Sequence, residues 1–177
     1  MHFSSPYNAN ICFTLLLHTS SSCSDTDALF QSNPSKEQPN VPDEQAIEFH
    51  FEDQCREGDT NAFKVDSVRR LADAEVPLLH MQGISQVPSC WLLAGQITAS
   101  KGMENALNKV QVLMCLVRIP DKATDVLLTL NTPIFIAAES AAAKTAGSGH
   151  QSAYVDAPRL FSRIIASFCI LNWDLFD

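Results

Sequence analysis

Signatures of catalysis and nucleotide handling are missing from this chain of 177 residues: it has no GxGxxG, no GxxxxGK[ST], no HExxH and no GxSxG. With only six glycines, it has no glycine-rich loop of the kind that cradles phosphates. Basic residues are also scarce. Twelve Lys and Arg face 20 Asp and Glu, for a net charge of −8, and no Lys/Arg run occurs. This argues against a phosphate backbone as the main partner, and a basic protein surface suits the charge better. The six cysteines form no CxxC, and no histidine stands at zinc-finger spacing, which argues for free thiols in a reducing compartment. No apolar run is long enough to span a bilayer. The one candidate targeting segment, ICFTLLL (residues 11–17), follows ten residues without Lys or Arg and precedes a Ser-rich stretch lacking an A-x-A cleavage pattern, so it is not read as a leader.

What is present is a core-building pattern. At 46% hydrophobic residues, the length suits one domain with irregular ends. Residues 110–133, VQVLMCLVRIPDKATDVLLTLNTP, hold two apolar runs around a short polar turn. Both side-chain sets of the first run are largely apolar, so this predicted hairpin belongs to a sheet covered on both faces. Residues 43–57 form a predicted amphipathic helix with Asp43 as its N-cap and Ile47, Phe51 and Cys55 as its buried stripe; Phe49 lies off that stripe. Alternation at Phe63, Val65 and Ser67 predicts a short strand. CWLLAGQIT (residues 90–98) predicts another, with Gly95 at a bulge or a close backbone approach. Residues 77–81 are ambiguous, and residues 101–108 read as a polar connection. Residues 137–155 read as an Ala-rich mobile excursion. A second helix then opens at Asp156 and Pro158, burying Leu160, Phe161, Ile164, Ile165 and Phe168. Residues 1–40, rich in Ser, Asn, Pro and Thr, are poor core material. The order of elements fits an α/β (α+β) layered sandwich with a mostly antiparallel sheet.

Several residues admit a chemical reading beside a plain one. His80 and Cys90 could pair as a nucleophile couple, but no activating third group is evident, and packing accounts for them better. His50 could act as a ligand or acid–base group, although a satisfied helical histidine is the simpler reading. Asp125, at the entry to the second hairpin strand, is assigned a structural hydrogen-bonding role over a functional edge. The pair Glu52 and Asp53 could face a basic partner or simply be solvated. Trp91 and Trp173 lie beside apolar neighbours and read as core.

Four blocks resemble a known family. AIEFHFED (residues 46–53), WLLAGQITASKG (91–102), the hairpin block (110–133) and ILNWDLF (170–176) are similar, in order, to the Ran guanine nucleotide release factor family, also called the Ran-interacting nuclear import factors. The most specific part is Arg118 with the following apolar residue, then Thr124-Asp125, Asn131 and Pro133. The ending Trp173-Asp174-Leu175-Phe176 is similar to the plant and algal branch. The resemblance implies a PsbP-like α/β/α sandwich. It also implies a non-enzymatic regulator without a cofactor that binds a Ran-type small GTPase, promotes nucleotide release and supports nuclear import, in nucleus and cytoplasm, with neither nucleic acid nor membrane as a direct partner. The alternative from another class is a PsbP-like structural or assembly protein of the chloroplast lumen.

The chain departs from the family at its start. The family's Leu-Phe-Gly-Gly-Ala-Ile strand, its Val-Pro-Asp-x-Gln-Glu-Val motif and its acidic Glu-Leu-Leu-Glu strand are not intact here; residues 41–45, VPDEQ, match the second only in part and directly precede the helix. The acidic strand would fall near residues 25–33, where Asp25 and Asp27 are the only nearby acids. Asp25, Asp27, Glu52 and Asp53 are thus the expected partner-binding residues. Residues 1–40 are expected either to be divergent or to reflect misassigned first exons, and the lost strands would leave a sheet edge unpaired.

Overall fold

The computed structural model describes residues 12–19, 41–58, 60–76, 86–99, 107–137 and 156–173. Its centre is the expected hairpin, β4 (Asn108–Ile119) and β5 (Thr124–Phe135), paired antiparallel from Ile119↔Thr124 to Lys109↔Phe135. Pro120–Lys122 form a single 3-10 turn, and Ala123 closes it in the left-handed region at φ 44°. The strand runs past Pro133 because an irregularity opposite Lys109 and Val110 accommodates a residue that cannot donate to the ladder.

The two side-chain sets of β4 enter two separate cores. Val112, Met114 and Leu116 pack with Leu93 and Leu127 beneath α1 (Asp43–Glu57), whose Ala46, Ile47, Phe51 and Cys55 are buried. Leu113, Cys115, Val117 and Ile119 pack on the opposite face with Val126, Leu128 and Leu130, covered by Ala157, Phe161 and Ile165 of α2 (Ala157–Ser167) and by Trp173. The result is an α/β/α sandwich. Phe168, expected on the α2 stripe, is the residue that caps the helix end and is half-buried, packed against this second core. Phe49 is exposed and, among the ring contacts of the described residues, meets only the edge of His50, so the apolar face of α1 is narrow.

One local expectation is corrected. Pro42 occupies the cap position of α1, its carbonyl accepting from Gln45 and Ala46, and Asp43 is the first helical residue with no capping bond. Its carboxylate is drawn instead to Arg118 at the end of β4, at 3.0 Å.

β2 (Thr60–Arg70) and β3 (Ser89–Ala99) extend the meander, giving the order β1-β5-β4-β3-β2 with antiparallel pairing throughout. Gly95 fulfils both expectations: β2 is irregular directly opposite it, between Val65 and Ser67, and a Cβ at residue 95 would sit 2.8 Å from the Lys64 carbonyl and 3.0 Å from the Phe51 ring.

The largest departure lies at the start of the chain. β1 (Cys12–Thr19) takes in most of the ICFTLLL run and pairs antiparallel with β5 from Cys12↔Asn131 to Thr19↔Thr124. Part of the segment read as poor core material therefore covers the sheet edge expected to stand open. The excursion at 137–155, apart from buried Ala137, and the ambiguous stretch 77–81 lie outside the described residues, as do Asp25 and Asp27.

Candidate functional site

Two of the sequence blocks meet at one polar junction. On the α1 face of the sheet, Arg118 at the end of β4 stands in register with Asp125 at the start of β5, with Ser89 of β3 on its other side; His18 of β1 is the register partner of Asp125. Arg118 donates from Nε to Asp125 Oδ1 at 3.1 Å and from Nη2 to Oδ2 at 3.3 Å, while its Nη1 reaches Asp43 at 3.0 Å and the Val41 carbonyl at 2.9 Å. His50 Nε2 lies 3.0 Å from Asp125 Oδ2. A guanidinium suits this position because its planar fork makes four bonds to three groups, two of them side by side on the Asp125 carboxylate, where an ammonium has only three donors and no fork.

The electrostatics follow from partial burial. Desolvation alone would raise the Asp125 carboxyl, but the bonds from His50 and Arg118 outweigh it and hold the group below the ordinary carboxylate value. Asp43 is lowered by the same contest, with Ser89, Arg118 and Trp91 opposing desolvation. Ser89 Oγ and Trp91 Nε1 are buried and close no hydrogen bond of good geometry, so their help to Asp43 is that of nearby dipoles. Arg118 is raised, the two carboxylates overcoming the cost of its burial.

Outside this junction, α1 turns an acidic face to solvent. Glu44, Glu48, Glu52, Asp53 and Glu57 lie on its wholly or partly exposed side, against Arg56 as the only Lys or Arg in the helix. Glu52 and Asp53 are both partly exposed there, and Glu52 pairs with Arg56 at 3.0 Å. Of the expected binding residues, the structure thus places Glu52 and Asp53 together on one helix. Asp125 has the hydrogen-bonded role read for it, and His50 is a satisfied histidine. Trp173 is core, and Trp91 is half-buried against the α1 core. Sequence reasoning used Arg118 only as a family marker and missed its part in the junction. The available signal was an arginine closing an apolar strand seven residues before an aspartate, across a tight turn.

Catalytic chemistry finds no support in these positions. The buried thiol of Cys90 is pushed up to about 11, and Cys55 likewise, so neither is an activated nucleophile. Cys115 is raised further by deeper burial. His80 lies outside the described residues. Among the described residues, no three His, Cys, Asp or Glu side chains come together as a metal site. A shallow recess beside α2, lined by Leu160, Arg163, Ile164, Ala166 and Ser167, contains neither carboxylate nor imidazole. No helix among the described residues is long and apolar enough to cross a membrane.

Comparison with known proteins places this arrangement. Residues 24–133, from upstream of α1 through most of β5, match the family model described as Ran-interacting Mog1 protein. The chain is 30% identical over 142 residues to a Ran guanine nucleotide release factor of Danio rerio, covering 78% of this chain and 72% of that protein. It is 30% identical over 145 residues to a probable Ran guanine nucleotide release factor of Dictyostelium discoideum, covering 78% and 70%. Among solved structures, it is similar to the Ran-binding protein Mog1p of Saccharomyces cerevisiae at 17% identity and a TM-score of 0.43, covering 78% of this chain and 57% of that one. The junction residues His50, Arg118 and Asp125 all fall inside the matched region, and the chain belongs to the Ran-interacting Mog1 protein family.

Proposed function

We propose that the chain binds a Ran-type small GTPase, promotes release of its guanine nucleotide and supports nuclear protein import, acting by binding alone in nucleus and cytoplasm. The observation that carries this reading is the acidic solvent face of α1, mounted on the sheet within the region that matches the Ran-interacting family. A release factor needs no catalytic group. It must bind the nucleotide-poor state of the GTPase more tightly than the loaded state, and a tenfold shift requires only about 1.4 kcal/mol of difference. Glu52 and Asp53 supply the complementary charge for a basic GTPase surface, which raises the encounter rate and selects the partner. Family membership favours this reading over the chloroplast-lumen assembly protein.

The test uses Ran loaded with a fluorescent guanine nucleotide and chased with unlabelled nucleotide. The wild-type chain should accelerate release, and the double variant E52K/D53K should lower the association rate by about tenfold at low salt, with a weaker salt dependence. A folded wild-type chain that neither binds Ran in any nucleotide state nor changes the release rate contradicts the proposal.

A further inference from the structure

We infer that His50 and Arg118 are positioning residues that fix the tilt and rotation of α1, and so the placement of its acidic face, without themselves touching the partner. The inference rests on the GTPase-binding reading above and deepens it.

The apolar grip on α1 through Ile47, Phe51 and Cys55 is strong but not directional, because burial of apolar surface fixes area and not orientation. Direction comes from polar bonds. Those that join α1 and Val41, two residues before it, to the sheet, among the described residues, converge on Arg118 and Asp125. They hold the helix at two points: Asp43 in its first turn and His50 two turns further on, about 10 Å along the axis. Ile47 lies between them and is fully buried, so the three residues form one stripe at i, i+4 and i+7. Pinning both ends of that stripe removes sliding and rolling together. Glu52 and Asp53 lie within one turn of His50, so freedom at His50 is passed directly to them.

The His50–Asp125–Arg118 part of the junction is shielded enough for its bonds to count, while Asp43 at 37% exposed is the weaker of the two pins. The side chains of His50, Asp125 and Arg118 are 11%, 16% and 22% exposed. By contrast, the Glu52–Arg56 pair is 43% and 64% exposed and contributes little to order.

A positioning role and a contact role leave different kinetic marks. Charge on the contact face governs encounter, whereas the order of the helix governs how long the complex lasts. In binding kinetics with nucleotide-free Ran, H50A and R118K should each raise the dissociation rate by about tenfold, with association rate and salt dependence unchanged. H50Q, which keeps a donor able to reach Asp125, should recover most of the lifetime. Hydrogen exchange on the free chain gives a readout that needs no partner: α1 amides should exchange faster in H50A, with protection in β4 and β5 retained. Wild-type dissociation rates in folded H50A and R118K, or unchanged α1 exchange in H50A, overturn the inference while the GTPase-binding reading stands. Failure of the wild-type chain to bind Ran overturns both. If H50A does not fold, R118K carries the comparison alone, and a wild-type lifetime in folded R118K counts against the role.

Discussion

Gly95 sets how closely α1 approaches the sheet. A methyl group there meets the Lys64 carbonyl and the Phe51 ring, and the backbone atom cannot move aside without breaking β2–β3 pairing. Gly95→Ala should therefore cost about 1–3 kcal/mol in chemical denaturation, mostly by pushing Phe51 outward. Asp125 and Asp43, the partly buried pair of lowered carboxyls, contribute to the acid limb of stability. Both carboxyls are held below their ordinary value of 3.8 in the folded protein, so the stability they confer is complete above that value and is lost as pH falls through the lower folded values. Denaturation midpoints measured down to about pH 3 should drop steeply for the wild type and less steeply for D125N, which starts from a lower plateau. The roles of His50 and Asp125 were legible from the sequence because polar groups on elements with buried faces need partners. Arg118 was not, since an arginine ending an apolar strand reads the same whether it meets solvent or a carboxylate, and only the register across the turn decides.

Hairpins and amphipathic helices announce themselves locally, and β4, β5, α1 and α2 lie close to where periodicity puts them. β1 does not announce itself. Its run lacks alternation, its neighbours are polar and small, and its partner strand lies more than a hundred residues away, so only the tertiary fold reveals that Cys12–Thr19 completes the sheet. The misassigned cap of α1 has a similar cause: Asp43 has the chemistry of an N-cap, but Pro42 takes that place and Arg118 claims the carboxylate. The β4–β5 turn offers a test at this scale. Ala123 sits at φ 44°, a conformation that costs an L-residue about 1 kcal/mol and glycine nothing. Ala123→Gly should raise stability by up to that amount, less the entropy glycine adds to the unfolded chain, as read from the shift in denaturation midpoint.

At the scale of the whole molecule, the sheet separates two cores with different tasks. The α2 side is a deep apolar layer closed by Phe161, Ile165 and Trp173. The α1 side carries the polar junction and the acidic outer face within the family-matched residues. This asymmetry underlies the central claim, that the chain meets its GTPase partner through α1. Hydrogen exchange with and without nucleotide-free Ran tests it most directly. The account predicts new protection concentrated in residues 41–58, with α2 unchanged; protection confined to α2, with α1 exchanging as in the free chain, would contradict it.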